Sequence, residues 1–121
     1  MKGAINFSED YDKLQHPLFT TIRFYTYIPG KIYPICLNEQ PKGFALLIHV
    51  YFCEMSQLNA SFIEYDTKFK GKGATPSKFY EVMERFYGKL EGWNGKDTIL
   101  KVLLLLWVEK KRKIKMSLDI F

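Results

Sequence analysis

This chain has almost no cysteine or histidine. Two cysteines, Cys36 and Cys53, are too few for a disulfide framework or a thiolate cluster, and they read as buried, reduced thiols. His16 and His49 share no metal-ligand spacing, so no metal is expected. His49 falls inside a strand pattern and reads as a core histidine. Glycine-rich signatures are missing as well. There is no phosphate-cradling P-loop, no dinucleotide fingerprint and no nucleophile elbow. Nucleotide hydrolysis by a P-loop, hydride transfer on a Rossmann fold and α/β-hydrolase chemistry are thereby set aside, and no cofactor is expected. Long apolar runs are absent too. The richest, Ile99–Val108, is ten residues interrupted by Lys101, too short for a membrane helix. The first residues, Met1–Asn6, contain no apolar stretch, so a cytoplasmic protein without a membrane partner is expected.

What is present suffices for a packed domain. The chain has 121 residues, of which 47% are hydrophobic and 17% aromatic, enough for one core, so residues 1–121 read as a single domain. A net charge of +5 permits a polyanionic partner without requiring one.

Punctuation along the chain sets the elements. Ala4–Phe7 reads as a short strand. Ser8 can cap a helix over Glu9–Gln15, with acids in its first turn. Pro17 disfavours helical geometry at His16 and ends it. Thr20–Tyr27, rich in Thr, Ile, Phe and Tyr, reads as a second strand. Alternation puts Ile22 and Phe24 on one face and Thr21, Arg23 and Tyr25 on the other. After the Pro29-Gly30 turn, Lys31–Leu37 is a third strand in which Pro34 marks an edge or a bulge. Gly43–Cys53 alternates two largely apolar faces, which predicts a strand buried on both sides of a small barrel. A short helical turn over Met55–Asn59 leads to Phe62–Thr67, and Lys68–Gly73 reads as a flexible basic loop.

Thr75-Pro76 opens the clearest helix, Pro76 to Tyr87, with Pro at the first helical position. Its stripe Phe79, Val82, Met83 and Phe86 should pack on the sheet. Asp97–Val108 reads as an apolar strand, with a buried helix or a membrane segment as the alternatives. The basic run Lys110–Lys115 reads as a solvated edge, and Ile114–Phe121 as a last edge strand.

The stretch His16-Pro17-Leu18-Phe19-Thr20-Thr21-Ile22-Arg23 resembles the signature of ASCH domains, members of the PUA-like superfamily, whose pattern is Gly-x-Lys-x-x-Thr-x-Arg. Thr21 and Arg23 take the Thr and Arg positions. His16 stands at the Gly position and Leu18 at the Lys position. The order of elements over residues 4 to 108 is similar to that family, as is an acidic residue, Asp66, after the short helix. The resemblance implies an α+β fold: a PUA-like β-barrel of five or six mixed strands with two or three helices.

Arg23 offers a fixed donor fork for phosphate or carboxylate, or else a surface ion pair. Thr20, Thr21 and Tyr25 lie beside it on the same strand. Asp66 can read a base edge or activate water, or can be an ordinary turn aspartate. In the basic loop, Lys68, Lys70 and Lys72 can neutralise phosphates and Phe69 can stack on a base, or the whole loop can be solvated. Three functions follow. The first is an RNA- or nucleotide-binding module with a positive cleft beside strand two. The second, implied by the resemblance, is an amidohydrolase acting on acetylcytidine, with Thr21 and Asp66 as catalytic candidates. Leucine cannot carry charge or a proton, so Leu18 removes the usual lysine, and Lys68 or Lys31 would have to replace it. Acetylcytidine turnover is therefore not expected. The third is a protein-interaction domain using an apolar surface.

Overall fold

A computed structural model describes residues 3–109. The proposed last strand and the basic run Lys110–Lys115 lie outside the described residues. The fold is α+β, a mixed five-stranded half-barrel sheet with two α-helices. Its strands are β1 (Ile5–Phe7), β2 (Leu18–Arg23), β3 (Ile32–Leu37), β4 (Gln40–Glu54) and β5 (Ile99–Glu109), in the order β1-β3-β4-β5-β2. β1 runs parallel to β3, and the other pairings are antiparallel. The helices are α1 (Ala60–Asp66) and α2 (Pro76–Tyr87). The apolar segment before Glu109 is thus a strand paired on both sides, as its length and flanks suggest. Among the described residues no helix is long and apolar enough to cross a membrane.

Local chemistry explains the helix ends. The Asn59 side chain accepts from the backbone N–H groups of Ser61 and Phe62, and so caps α1. Thr75 accepts from Lys78 N–H and Pro76 occupies the first turn of α2, as the sequence indicates. Phe79 and Met83 of α2 are buried against Ile22, Ile63, Leu100 and Val102. Phe86 departs from the expected stripe and is 63% exposed. A second cluster is formed by Ile5, Phe7, Leu14, Phe19, Ile35, Leu47, Leu103 and Leu105.

Four expectations need correction. The first helix is only a 3₁₀ turn, Asp12–Gln15, preceded by extended chain at Tyr11. β2 starts two residues earlier than predicted and stops at Arg23, so Tyr25 lies beyond it. β4 is not buried on both sides. A bulge between Leu47 and His49 breaks its alternation, leaving His49 exposed against the Tyr51 ring and Ile48 and Phe52 facing out. Finally, Lys68–Gly73 is a pinned loop. Phe69 and Lys72 form a β-bridge. The Asp12 carboxylate accepts from the N–H groups of Lys70 and Gly71, and both residues have positive φ.

That loop returns to α1 at Gly73, where a Cβ would overlap the carbonyl oxygen of Glu64. Gly73→Ala should therefore lower stability by about 1–3 kcal/mol, the range for overpacking against atoms that cannot yield. Chemical denaturation measures it. An unchanged midpoint would show that the loop moves away freely.

Candidate functional site

β1 and β2 are the two free edges of the sheet, and they face each other across a cleft. Arg23, at the end of β2, closes this seam. Its Nη2 donates to the Asn6 carbonyl of β1 at 3.0 Å, and its guanidinium lies 4.7 Å from the Phe7 ring centroid. Its Nε donates to the Thr21 hydroxyl at 3.1 Å, which fixes the plane of the fork. The other N–H donors of the guanidinium remain for a ligand. The cleft behind it has a volume of about 410 Å³, within the range of small-molecule sites.

Its walls are apolar. Phe7 and Tyr11 stand on one side, and Val82, Met83, Phe86 and Tyr87 of α2 on the other. Its floor is charged. Lys13 Nζ meets Asp66 Oδ2 at 3.0 Å, and both residues are almost fully buried, 3% and 4% exposed. The Thr20 hydroxyl donates to Asp66 Oδ1 at 2.6 Å. The Lys13 ammonium also lies over the Phe7 and Tyr11 rings, at 5.4 and 5.5 Å from their centroids. Burial pushes Lys13 below its usual 10.5. Asp66 opposes that shift through charge and hydrogen bonding, and Arg23 adds to it by repulsion. Burial raises the phenols of Tyr87, on the cleft wall, and of Tyr27, packed beside Tyr33, above their ordinary 10.0, against the attraction of Arg23.

The structure sorts the residues singled out from the sequence. Thr21, Arg23 and Asp66 all line the cleft. Asp66 is the last residue of α1, engaged by Lys13 and Thr20 rather than by turn N–H groups. Thr20 touches Asp66 but does not line the cleft. Tyr25 lies beside it, edge-on to Tyr87 at 5.7 Å. Lys68, Phe69, Lys70 and Lys72 are not among the lining residues, although Thr67 just before them is. Neither Lys68 nor Lys31 lines the cleft.

Lys13 is the ammonium beside Asp66, and its residue type alone does not mark it in the sequence. It sits among Glu9, Asp10 and Asp12 in the sequence. Nothing in its neighbourhood points to an acid on a distant helix.

Charge is distributed unevenly along the chain. Lys2 and the five basic residues between 110 and 115 lie outside the described residues, as does Asp119. Residues 3–109 therefore hold twelve basic and twelve acidic residues and carry no net charge. The cleft is locally positive, since Lys13 and Arg23 face one carboxylate, Asp66. Among the described residues no group of three His, Cys, Asp or Glu is placed to hold a metal. No family model, no curated protein and no solved structure matches this chain.

Proposed function

We propose that this is an ASCH-type domain of PUA-like architecture whose cleft binds a nucleotide, either free or as part of RNA. Arg23 carries this reading. It is a planar cation held by Thr21, Asn6 and Phe7 at the mouth of an apolar-walled cleft. A nucleotide matches that arrangement, with a flat ring for the walls and an anion for the fork. Lys13 offers further N–H donors on the floor for a ring carbonyl. The resemblance at Thr21 and Arg23 and the acid at Asp66 support the same assignment.

The test is calorimetric titration with the four ribonucleoside 5′-monophosphates and their nucleosides. Saturable binding is expected, tighter for the monophosphates and weakening with salt. No binding of any of the eight at low salt would refute the reading.

Hydrolysis of acetylcytidine is a second reading, and one observation favours it. Lys13 restores an ammonium beside Asp66 that Leu18 cannot provide. The hydroxyl geometry opposes it. The hydroxyl bonded to Asp66 belongs to Thr20, outside the cleft lining, whereas Thr21, inside it, accepts from Arg23. A nucleophile and its base must lie within hydrogen-bond reach. Acetylcytidine is thus expected to bind without turnover. Release of cytidine by wild type, detected by mass spectrometry and lost in Thr21→Ala, would reverse the order of the two readings.

A further inference from the structure

The mouth of the cleft continues into a group of four aromatic rings, of which only Tyr87 lines the cleft. Phe24, Tyr25, Tyr87 and Trp93 form one contact group. Phe24 lies 5.3 Å from Tyr87 and 5.7 Å from Trp93, and Tyr25 meets Tyr87 at 5.7 Å with their planes at 85°. Phe24 and Trp93 lie against the core cluster beneath α2. Trp93 Nε1 donates to Glu84, and the Phe24 carbonyl accepts from Lys101 Nζ at 2.8 Å. The base of the group is therefore fixed. Its outer members are not covered: Tyr25 is 52% exposed and Phe86, which touches Tyr87, is 63% exposed.

Packing explains the inner rings but not the outer ones. Tyr25 follows the end of β2, and its ring contacts are with Phe24 and Tyr87. It stands two residues from Arg23, the cation at the mouth. Tyr87 belongs both to the cleft lining and to the aromatic group, so the two surfaces are continuous. Two rings meeting at a right angle form a corner, in which a flat ligand can stack on one and meet the edge of the other.

We infer that this corner is a second base-stacking position, so that the site takes single-stranded RNA of at least two nucleotides, one base in the cleft and its neighbour on Tyr25. The inference rests on the nucleotide reading of the cleft and specifies its ligand. In a continuous strand the phosphate joining the two nucleotides falls near Arg23, the only charge on β2. Lys78 is bonded to Glu81 and Glu84 to Trp93, so those two carboxylates of α2 are already engaged. Stacking on an aromatic ring tolerates any base. The second position should accordingly add affinity with little sequence preference.

The experiment compares cytidine 5′-monophosphate with the dinucleotide CpC and with hexacytidylate, titrated into wild type, Tyr25→Ala and Tyr25→Phe at one salt concentration. Wild type should bind CpC at least about tenfold more tightly than the monophosphate. Tyr25→Ala should lose that gain and keep the monophosphate affinity, and Tyr25→Phe should restore it. Hexacytidylate should add little beyond CpC. Equal affinity of wild type for the monophosphate and CpC would overturn the second position and leave the cleft reading standing. Equal affinity of Tyr25→Ala and wild type for CpC would do the same. No binding of any of the three ligands would remove both.

Discussion

Asp66→Ala is expected to destabilise the protein by about 3–5 kcal/mol, the range for leaving one member of a buried ion pair without its partner. Lys13 would remain almost fully buried with its ammonium facing no carboxylate, and the Thr20 hydroxyl would lose its acceptor. The companion variant decides what the loss means. Lys13→Met/Thr20→Val/Asp66→Leu removes the charges and the hydroxyl together and leaves no orphaned polar group. Apolar replacement of a buried pair is often neutral or stabilising. The triple variant should therefore unfold near the wild-type midpoint or above it, and should no longer bind a nucleotide. Stability of the two variants is read by urea denaturation and binding by titration.

A pH dependence accompanies this. Burial holds Lys13 below 10.5 in the native state. Between that lowered value and 10.5 the unfolded chain binds more protons than the native one. The lysine's contribution to stability thus increases as pH rises through that window. Wild type should show this alkaline increment and the triple variant should not. If the triple variant proves as unstable as Asp66→Ala, the pair is holding the fold together and its place in a binding site loses its main support.

Arg23→Ala should weaken monophosphate binding by about 1–3 kcal/mol, the value of a good two-pronged contact. Arg23→Lys should recover little, because an ammonium cannot hold Thr21 and Asn6 and still face an anion in the same plane. Replacing Lys68, Lys70 and Lys72 together should behave differently. These lysines lie outside the cleft lining, on a loop pinned by Asp12. Their loss should leave the monophosphate affinity unchanged and lower the salt slope of RNA binding by roughly one unit per phosphate contact. Fluorescence titration at two salt concentrations separates the cases. Equal losses from both sets would place the ligand on a diffuse basic surface.

Much of the fold is legible in the sequence where local chemistry decides it. Thr75 and Pro76 define the start of α2, and the spacing of Phe79, Val82 and Met83 defines its inward face. The apolar run from Ile99 is a central strand because both its neighbours pair with it along most of its length. Legibility fails where tertiary context decides. Alternation through β4 cannot show that one extra residue near Ile48 turns His49 outward. The hydrophobic spacing of α2 includes Phe86, but Phe86 stands on the cleft wall and stays 63% exposed. At the site, Thr21, Arg23 and Asp66 line the cleft, and the resemblance to the ASCH pattern is what singles them out, Asp66 above all, since by residue type it reads as a turn aspartate. Lys13 is not singled out, since its partner is far along the chain and its neighbours are acids.

The most direct measurement is a methyl and guanidinium NMR titration of the protein with cytidine 5′-monophosphate. A nucleotide bound in the seam between β1 and β2 should shift the Thr21, Ile22, Val82 and Met83 methyl signals and the Arg23 Nε–H signal together, along one saturable curve. Signals from Ile32, Ile48 and Leu106, on the outer face of the sheet, should stay in place. Shifts confined to those outer residues, or none at all at millimolar nucleotide, would contradict a nucleotide site in this cleft.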